Sequence, residues 1–243
     1  MEKDMPKEIL LLTDPAMAGL LSGELAQIAP GLLVTVLTTQ DQVVERFDRS
    51  LSGAQMIAAG TGVILTEKQL AALDGPAYNL HPGPPEYPGL FPSVFALYDG
   101  ARQFGTTVHQ MTVEVDQGPI VAVERFQIPP DADRMTLDQL SLRSLIEMFT
   151  ALMKRMLSDP AHIKPCGEKW GSRRWTKADF NALCRLPDKV SEAEFLRRYR
   201  AIGEGPGHAL ELMLHGHRFI LDNQRATQPV YVAGIAADRD SSA

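Results

Sequence analysis

Ile9 to Leu12 read ILLL, and Thr13-Asp14-Pro15 closes the run at once. An apolar run this short, with no polar side, can be a strand only if both of its faces are covered. The pattern recurs down the first third of the chain. Helical periodicity from about Ala16 to Ala29 is followed by the β-branched, apolar stretch Gly31–Thr39, then by a polar amphipathic segment around Gln42–Asp48. Ala54–Leu65 (AQMIAAGTGVIL) reads as another apolar strand, interrupted by Gly60 and Gly62, and Glu67–Leu73 as a helix. Strands alternating with helices at this spacing predict an α/β fold, a Rossmann-like and mostly parallel sheet flanked by helices.

The pattern then changes. Asn79–Gly89, NLHPGPPEYPG, holds four prolines. Each fixes φ and lacks a backbone donor, which excludes a helix interior or a central strand. Ser93–Gly100 reads as a short helix ending at glycine. Gly105–Val115 alternates as a strand, Asp116–Pro119 (DQGP) turns, and Ile120–Ile128 is a second strand, so the two should run antiparallel. Thr136–Leu157 is an amphipathic helix with Asp138 near its start and Lys154 and Arg155 near its end, as the helix dipole favours. It is expected to close a main domain spanning residues 1–158. Composition shifts from Pro160 onward. Lys169–Phe180 carries both tryptophans and a basic cluster, Ser191–Ile202 is a capped helix, and Gly207–Asn223 reads as a hairpin turning near Gly216. Residues 159–226 are therefore expected to form a small C-terminal α+β appendage, and 227–243 a loosely ordered tail.

The net charge of −6 and pI of about 5.5 lack the electrostatic footprint of a protein that grips a long nucleic acid. Cys166 and Cys184 lie in dissimilar contexts and suggest two reduced thiols, neither a zinc site nor a disulfide framework. The N-terminal MEKDMPKEILLLTD lacks the apolar core and cleavage site of a signal peptide, and no stretch approaches the ~20 apolar residues that span a bilayer. A cytoplasmic location with no membrane partner is expected.

Asn79 and His81 fall just after an expected strand, at the mouth of a parallel sheet, where open α/β folds collect ligands. On an extended backbone, Asn-x-His puts both side chains on one side. An acid should set the charge and tautomer of the imidazole; Asp116, opening the DQGP turn, is the first choice and Glu114 the rival, with His109 earlier on the same strand. Taken singly, each is more often structural: loop polar residues commonly satisfy backbone groups, and His109 sits within an alternating strand. Phe95 and Tyr98 are expected in the core and the Arg173/Arg174 pair on a solvated face. The GTG at Gly60–Gly62 lacks the spacing and lysine of a phosphate loop, and His81, His109 and Asp116 match no metal-binding spacing. Neither cysteine lies near the histidines in sequence, and no nucleophile elbow occurs. Direct transfer between two bound substrates is the chemistry left.

Taken together, Asn79–Ile128 closely resembles the central block of the folate-dependent formyltransferases, a family whose members act on methionyl-tRNA, glycinamide ribonucleotide and nucleotide-linked amino sugars. The matching residues are Asn79, His81, Pro82, Tyr87, Gly89, Pro92, Gly105, Thr107, His109, Asp116, Gly118 and Ile120. The resemblance implies formyl transfer from 10-formyltetrahydrofolate to an amine, with Asn79, His81 and Asp116 catalytic. It implies that Gly62, Val63, Ile64 and Leu65, together with Asp116, line the folate pocket, and that Pro84, Tyr87 and His109 face the substrate. Gly83 replaces the usual serine, Pro84-Pro85 the usual Leu-Pro, and Pro88 a common arginine. The N-terminal LTDPAMAG lacks the glycine-rich loop that the glycinamide ribonucleotide enzyme would need. About 85 residues follow Leu157, fewer than the tRNA enzyme devotes to its C-terminal barrel. A small amine, such as a nucleotide-linked amino sugar, is thus the expected acceptor, and a homodimer is compatible with the pattern. Hydrolysis of 10-formyltetrahydrofolate, a tRNA-type acceptor and a non-catalytic folate- or nucleotide-binding module are the alternatives.

Overall fold

The computed structural model describes residues 5–159, 163–203 and 209–221. The expected tail at 227–243 lies outside the described residues. A six-stranded sheet forms the centre, built from β1 (Glu8–Thr13), β2 (Leu33–Leu37), β3 (Ala54–Ala59), β4 (Tyr78–His81), β5 (Gln103–Gln110) and β6 (Ile120–Gln127), in the order β2-β1-β3-β4-β5-β6. The β1–β2, β1–β3 and β3–β4 pairs are parallel, whereas β4–β5 and β5–β6 are antiparallel.

The apolar run of β1 is explained by this placement. Ile9 and Leu11 join one core with α1 (Pro15–Ile28) and α5 (Arg134–Ser158), while Leu10 and Leu12 join a second core on the opposite face with Val43 of α2 (Gln40–Phe47). Alternate residues point to opposite faces, so a strand covered on both sides needs no polar position. Helix starts follow capping chemistry. Asp14 and Asp133 accept from the first turns of α1 and α5, and Thr66 forms a reciprocal capping box with Gln69 at α3 (Glu67–Ala71).

Three expectations shift. The strand expected at Ala54–Leu65 stops at Ala59, because Gly60 takes a left-handed φ of 59° and turns the chain out of the sheet. The strand expected at Gly105–Val115 ends at Gln110, after which the Thr112 hydroxyl donates to the Glu114 carbonyl and folds the segment back. Glu114 and Asp116 are therefore not on the strand of His109. Lys177–Cys184 is a helix, α6, started by a Thr176–Asp179 capping box inside the segment read only as basic and aromatic.

The C-terminal segment adds α6, α7 (Glu192–Ile202) and the hairpin β7 (Glu211–Leu214) and β8 (His217–Ile220), whose two-residue turn has left-handed His215 and Gly216. Its Phe180, Leu183, Ala201, Ile202 and Leu210 share one buried cluster with Phe95 of α4 (Pro92–Asp99), Phe104 of β5 and Leu137 of α5. No helix among the described residues is long and apolar enough to cross a membrane.

Candidate active site

Asn79 and His81 lie in β4 itself, at its carboxyl end, rather than in the loop after it. Asn79 pairs in register with His109 of β5, which places the amide and that imidazole side by side: Asn79 Nδ2 is 3.0 Å from His109 Nε2. His109 Nδ1 lies 2.9 Å from the Gln110 carbonyl, which can only accept, so Nδ1 carries a proton. Nε2 faces both the Asn79 amide and the Asp116 carboxylate, accepting from the amide when it carries no proton and donating to the carboxylate when it does.

His81 is oriented by the proline loop. Its Nε2 lies 2.9 Å from the Tyr87 carbonyl, which fixes a proton on Nε2 and leaves Nδ1 facing Asp116 Oδ2 at 3.4 Å. Asp116 Oδ1 is 3.4 Å from His109 Nε2, so one carboxylate spans both imidazoles. Its Oδ2 also accepts from the Gly89 N–H at 2.9 Å. The turn delivers it by adopting a left-handed φ of 53° at Asp116, a conformation that aspartate tolerates better than most residues. Glu114, the rival acid, is exposed.

Both groups are buried, and burial acts on each differently. It pushes the His81 imidazole below its ordinary pKa, an effect only partly offset by the Asp116 carboxylate. For Asp116, burial alone would raise the pKa, but the hydrogen bond to His109, the charge of His81 and the Gly89 N–H outweigh it and hold the acid below its ordinary value. The pair therefore rests as a carboxylate beside a neutral imidazole that has an unprotonated nitrogen turned toward it.

Two cavities meet at this centre. One of about 80 Å³ is lined by Val63, Ile64, Leu65, Met111, Glu114 and His109, with Asn79 and Asp116 at its end. The other, of about 450 Å³, is lined by His81, Pro82, Leu90, Phe91, Arg174 and Lys177, and again by Asn79 and Asp116. Val63, Ile64 and Leu65 line the smaller cavity, while Gly62 is on the exposed turn of the same loop and lines neither cavity. His109 faces the smaller cavity, not the larger. Pro84 and Tyr87 line neither. Pro84 is buried as the acceptor of the Tyr87 N–H, and the Tyr87 ring packs into the cluster around Phe95, where burial and Asp99 push its phenol up to about 12. Tyr87 serves the site through its carbonyl alone.

Arg174, expected on a solvated face, walls the larger cavity, as does Lys177, whose ammonium lies 4.6 Å from the Phe180 ring and 4.8 Å from that of Phe91. Arg173 points elsewhere, stacked 3.7 Å over Trp175 and paired with Asp179. Nothing in the local sequence separates the two arginines; only the start of α6 does.

The formyl transferase family profile matches residues 18–148. Methionyl-tRNA formyltransferase of Thermotoga neapolitana is 32% identical over 122 residues, 49% of this chain and 38% of that protein. The chain spans about a third of the length of the curated relatives it matches first. Among solved structures, a 4-N formyltransferase from Francisella tularensis superposes with a TM-score of 0.68 at 20% identity, covering 88% of this chain and 96% of the other. The N-formyltransferase from Helicobacter canadensis, determined with folinic acid and dTDP-3-aminofucose, gives 0.61 at 14% identity over 81% of this chain and 80% of that one. With a profile match over more than half its length, spanning the strands and loops that bring Asn79, His81 and Asp116 together, the chain belongs to the formyl transferase family.

Proposed function

We propose that the protein moves the formyl group of 10-formyltetrahydrofolate onto the amine of a small anionic acceptor, of which a nucleotide-linked amino sugar is the leading example. The observation that carries this reading is the meeting of two cavities across Asn79 and Asp116. A donor in one and an acceptor in the other would be held with their reacting atoms adjacent, which supplies the orientation term without a covalent enzyme intermediate. The folinic acid in the Helicobacter canadensis enzyme supports a folate donor here, and the aminosugar nucleotide beside it supports this acceptor class. Arg174 and Lys177 on the larger cavity give a phosphate-bearing acceptor its counter-charges. The smaller cavity, walled by Val63, Ile64, Leu65 and Met111, is the apolar side on which the pterin would lie.

In the reaction the acceptor nitrogen attacks the formyl carbon, and charge collects on the formyl oxygen. The Asn79 amide has a second N–H beyond the one facing His109 and is the donor placed for that oxygen. The attacking amine loses a proton, which His81 Nδ1 receives; this converts a lone pair facing the Asp116 carboxylate into an N–H donor to it. The C–N bond to the folate then breaks, and that proton returns to the departing folate nitrogen. Residues 1–158 would supply the reacting side chains and 159–226 the acceptor-side cations. The exposed Met213, Leu214, Phe219 and Ile220 of the hairpin are the apolar surface on which a homodimer would form.

The test is spectroscopic detection of tetrahydrofolate release from 10-formyltetrahydrofolate, alone and with pooled amines that include nucleotide-linked amino sugars, amino acids and formylatable tRNA. Release dependent on the amino-sugar pool is expected. Release without amine would make the protein a hydrolase, and dependence on the tRNA pool would replace the small acceptor. His81→Ala should abolish turnover while folinic acid affinity stays within about tenfold.

A further inference from the structure

Trp170 lines neither cavity, yet it touches both imidazoles. Its ring centroid is 5.0 Å from that of His109 at 87° and 5.7 Å from that of His81 at 75°, edge-on to both. The indole cannot swivel freely: its Nε1–H donates at 2.8 Å to the carbonyl of Gly118, in the turn that carries Asp116. Gly118 itself is pressed against β5, where an added β-carbon would stand 1.8 Å from the Gln110 oxygen. The anchor point is therefore fixed to the sheet.

The backbone around Trp170 is equally tied. The Gly171 N–H donates to the Pro85 carbonyl and the Trp175 N–H to the Pro88 carbonyl, each at 2.8 Å, and the Trp175 carbonyl accepts from Leu90 at 3.0 Å. Gly89 and Trp175 form a parallel bridge. These bonds tie residues 170–175 to the proline loop, the segment that supplies the Tyr87 carbonyl to His81 and the Gly89 N–H to Asp116. Residues 170–175 are a strap beside the paired imidazoles, and Trp170 is the side chain it sets against both of them.

We propose that Trp170 is a positioning residue: it holds the rings of His81 and His109 against the Asp116 carboxylate and keeps water from them, without touching either substrate. The inference rests on the formyl-transfer reading only for what the histidines do. The charged and titratable groups facing His81 are Asp116 from the turn and His109 from β5; those facing His109 are Asp116 and His81, with Asn79 and the Gln110 carbonyl as neutral partners. Trp170 adds no charge to this set, so its removal should act through hydration and ring freedom.

The experiment pairs turnover with an imidazole NMR titration of the full chain, His81 being assigned by the signal lost in His81→Gln. Trp170→Ala should lower kcat about tenfold to a hundredfold, as small misplacements of catalytic groups do. Donor KM should stay within about threefold. The His81 titration midpoint should move upward, toward the ordinary imidazole value, as water reaches the ring. Trp170→Phe, which keeps a ring but not the Gly118 bond, should recover most of both. An unchanged kcat in Trp170→Ala overturns the proposal, and so does a lowered kcat with an unmoved His81 midpoint, because a merely structural role predicts that pattern. If Trp170→Ala does not unfold cooperatively, Trp170→Leu carries the same two readouts. The titration needs no turnover, so failure of the formyl-transfer reading would leave it able to decide.

Discussion

At Gly83 a β-carbon would stand 2.7 Å from His81 Nε2 and 2.6 Å from Pro92 Cβ. The resemblance has serine at this position, but here a side chain finds no room beside the His81 ring, whose Nε2 lies on the Tyr87 carbonyl. Gly83→Ser should displace the ring and reduce kcat about tenfold or more, with little change in folinic acid affinity; steady-state kinetics beside a folate titration checks it. The pH dependence follows from the same ring. His81 must be neutral to receive a proton, and burial holds its pKa below the ordinary ~6.5, so the acid limb of kcat/KM should fall below that value. Asp116→Asn removes the charge that partly offsets burial, so any residual activity should show an acid limb lower still. In stability terms the unfolded chain takes up this proton first. The His81 contribution is whole above ~6.5 and declines as pH drops toward the lowered folded value, which thermal unfolding across that window would detect. Asn79, His81 and Asp116 could be grouped only through the resemblance of Asn79–Ile128 to a known family, since each residue alone fits a structural role and Glu114 rivals Asp116. Trp170 was legible only as one member of an aromatic and basic cluster and Lys177 not at all, since an indole and an ammonium acquire a role here only through tertiary contact with residues about ninety positions away.

Strands read most faithfully where the sheet covers both faces, as in β1, because an unbroken apolar run has few other homes. Boundaries failed where single residues redirect the backbone. Gly60 ends β3 and frees Val63–Leu65 to wall a cavity; the fold-back after Gln110 ends β5 and releases Asp116 from the sheet. Local propensity does not record which glycine will turn. The bridge between the proline loop and the strap depends on another, Gly89, whose φ is 96° and whose added β-carbon would stand 2.2 Å from the Trp175 carbonyl oxygen. Gly89→Ala should cost about 1–3 kcal/mol in denaturant unfolding through backbone strain alone. Because the same residue donates to Asp116, it should lower kcat as well. Loss of stability with full activity would mean that the Gly89 bond contributes nothing to the carboxylate's placement.

Composition and charge bounded the whole molecule without saying how its ends meet. The segment after residue 159 reads as an appendage, yet Phe180, Ile202 and Leu210 are buried with Phe95, Phe104 and Leu137 in one cluster. A fragment ending at residue 158 would bare that cluster, so it should bind hydrophobic dyes and lose the sharp thermal transition of the full chain, as calorimetry would register. Removing large side chains from the shared cluster should tell the same story, with Phe180→Ala costing about 3–5 kcal/mol. The strap also sets an order in time. Ribosomes add roughly 5–20 residues per second, so Trp170 is made about 3–11 seconds after Asp116. Throughout that interval the nascent polypeptide holds both histidines and the carboxylate without the indole that we propose packs against them, so the centre is complete in its acids and bases before it is complete in its packing.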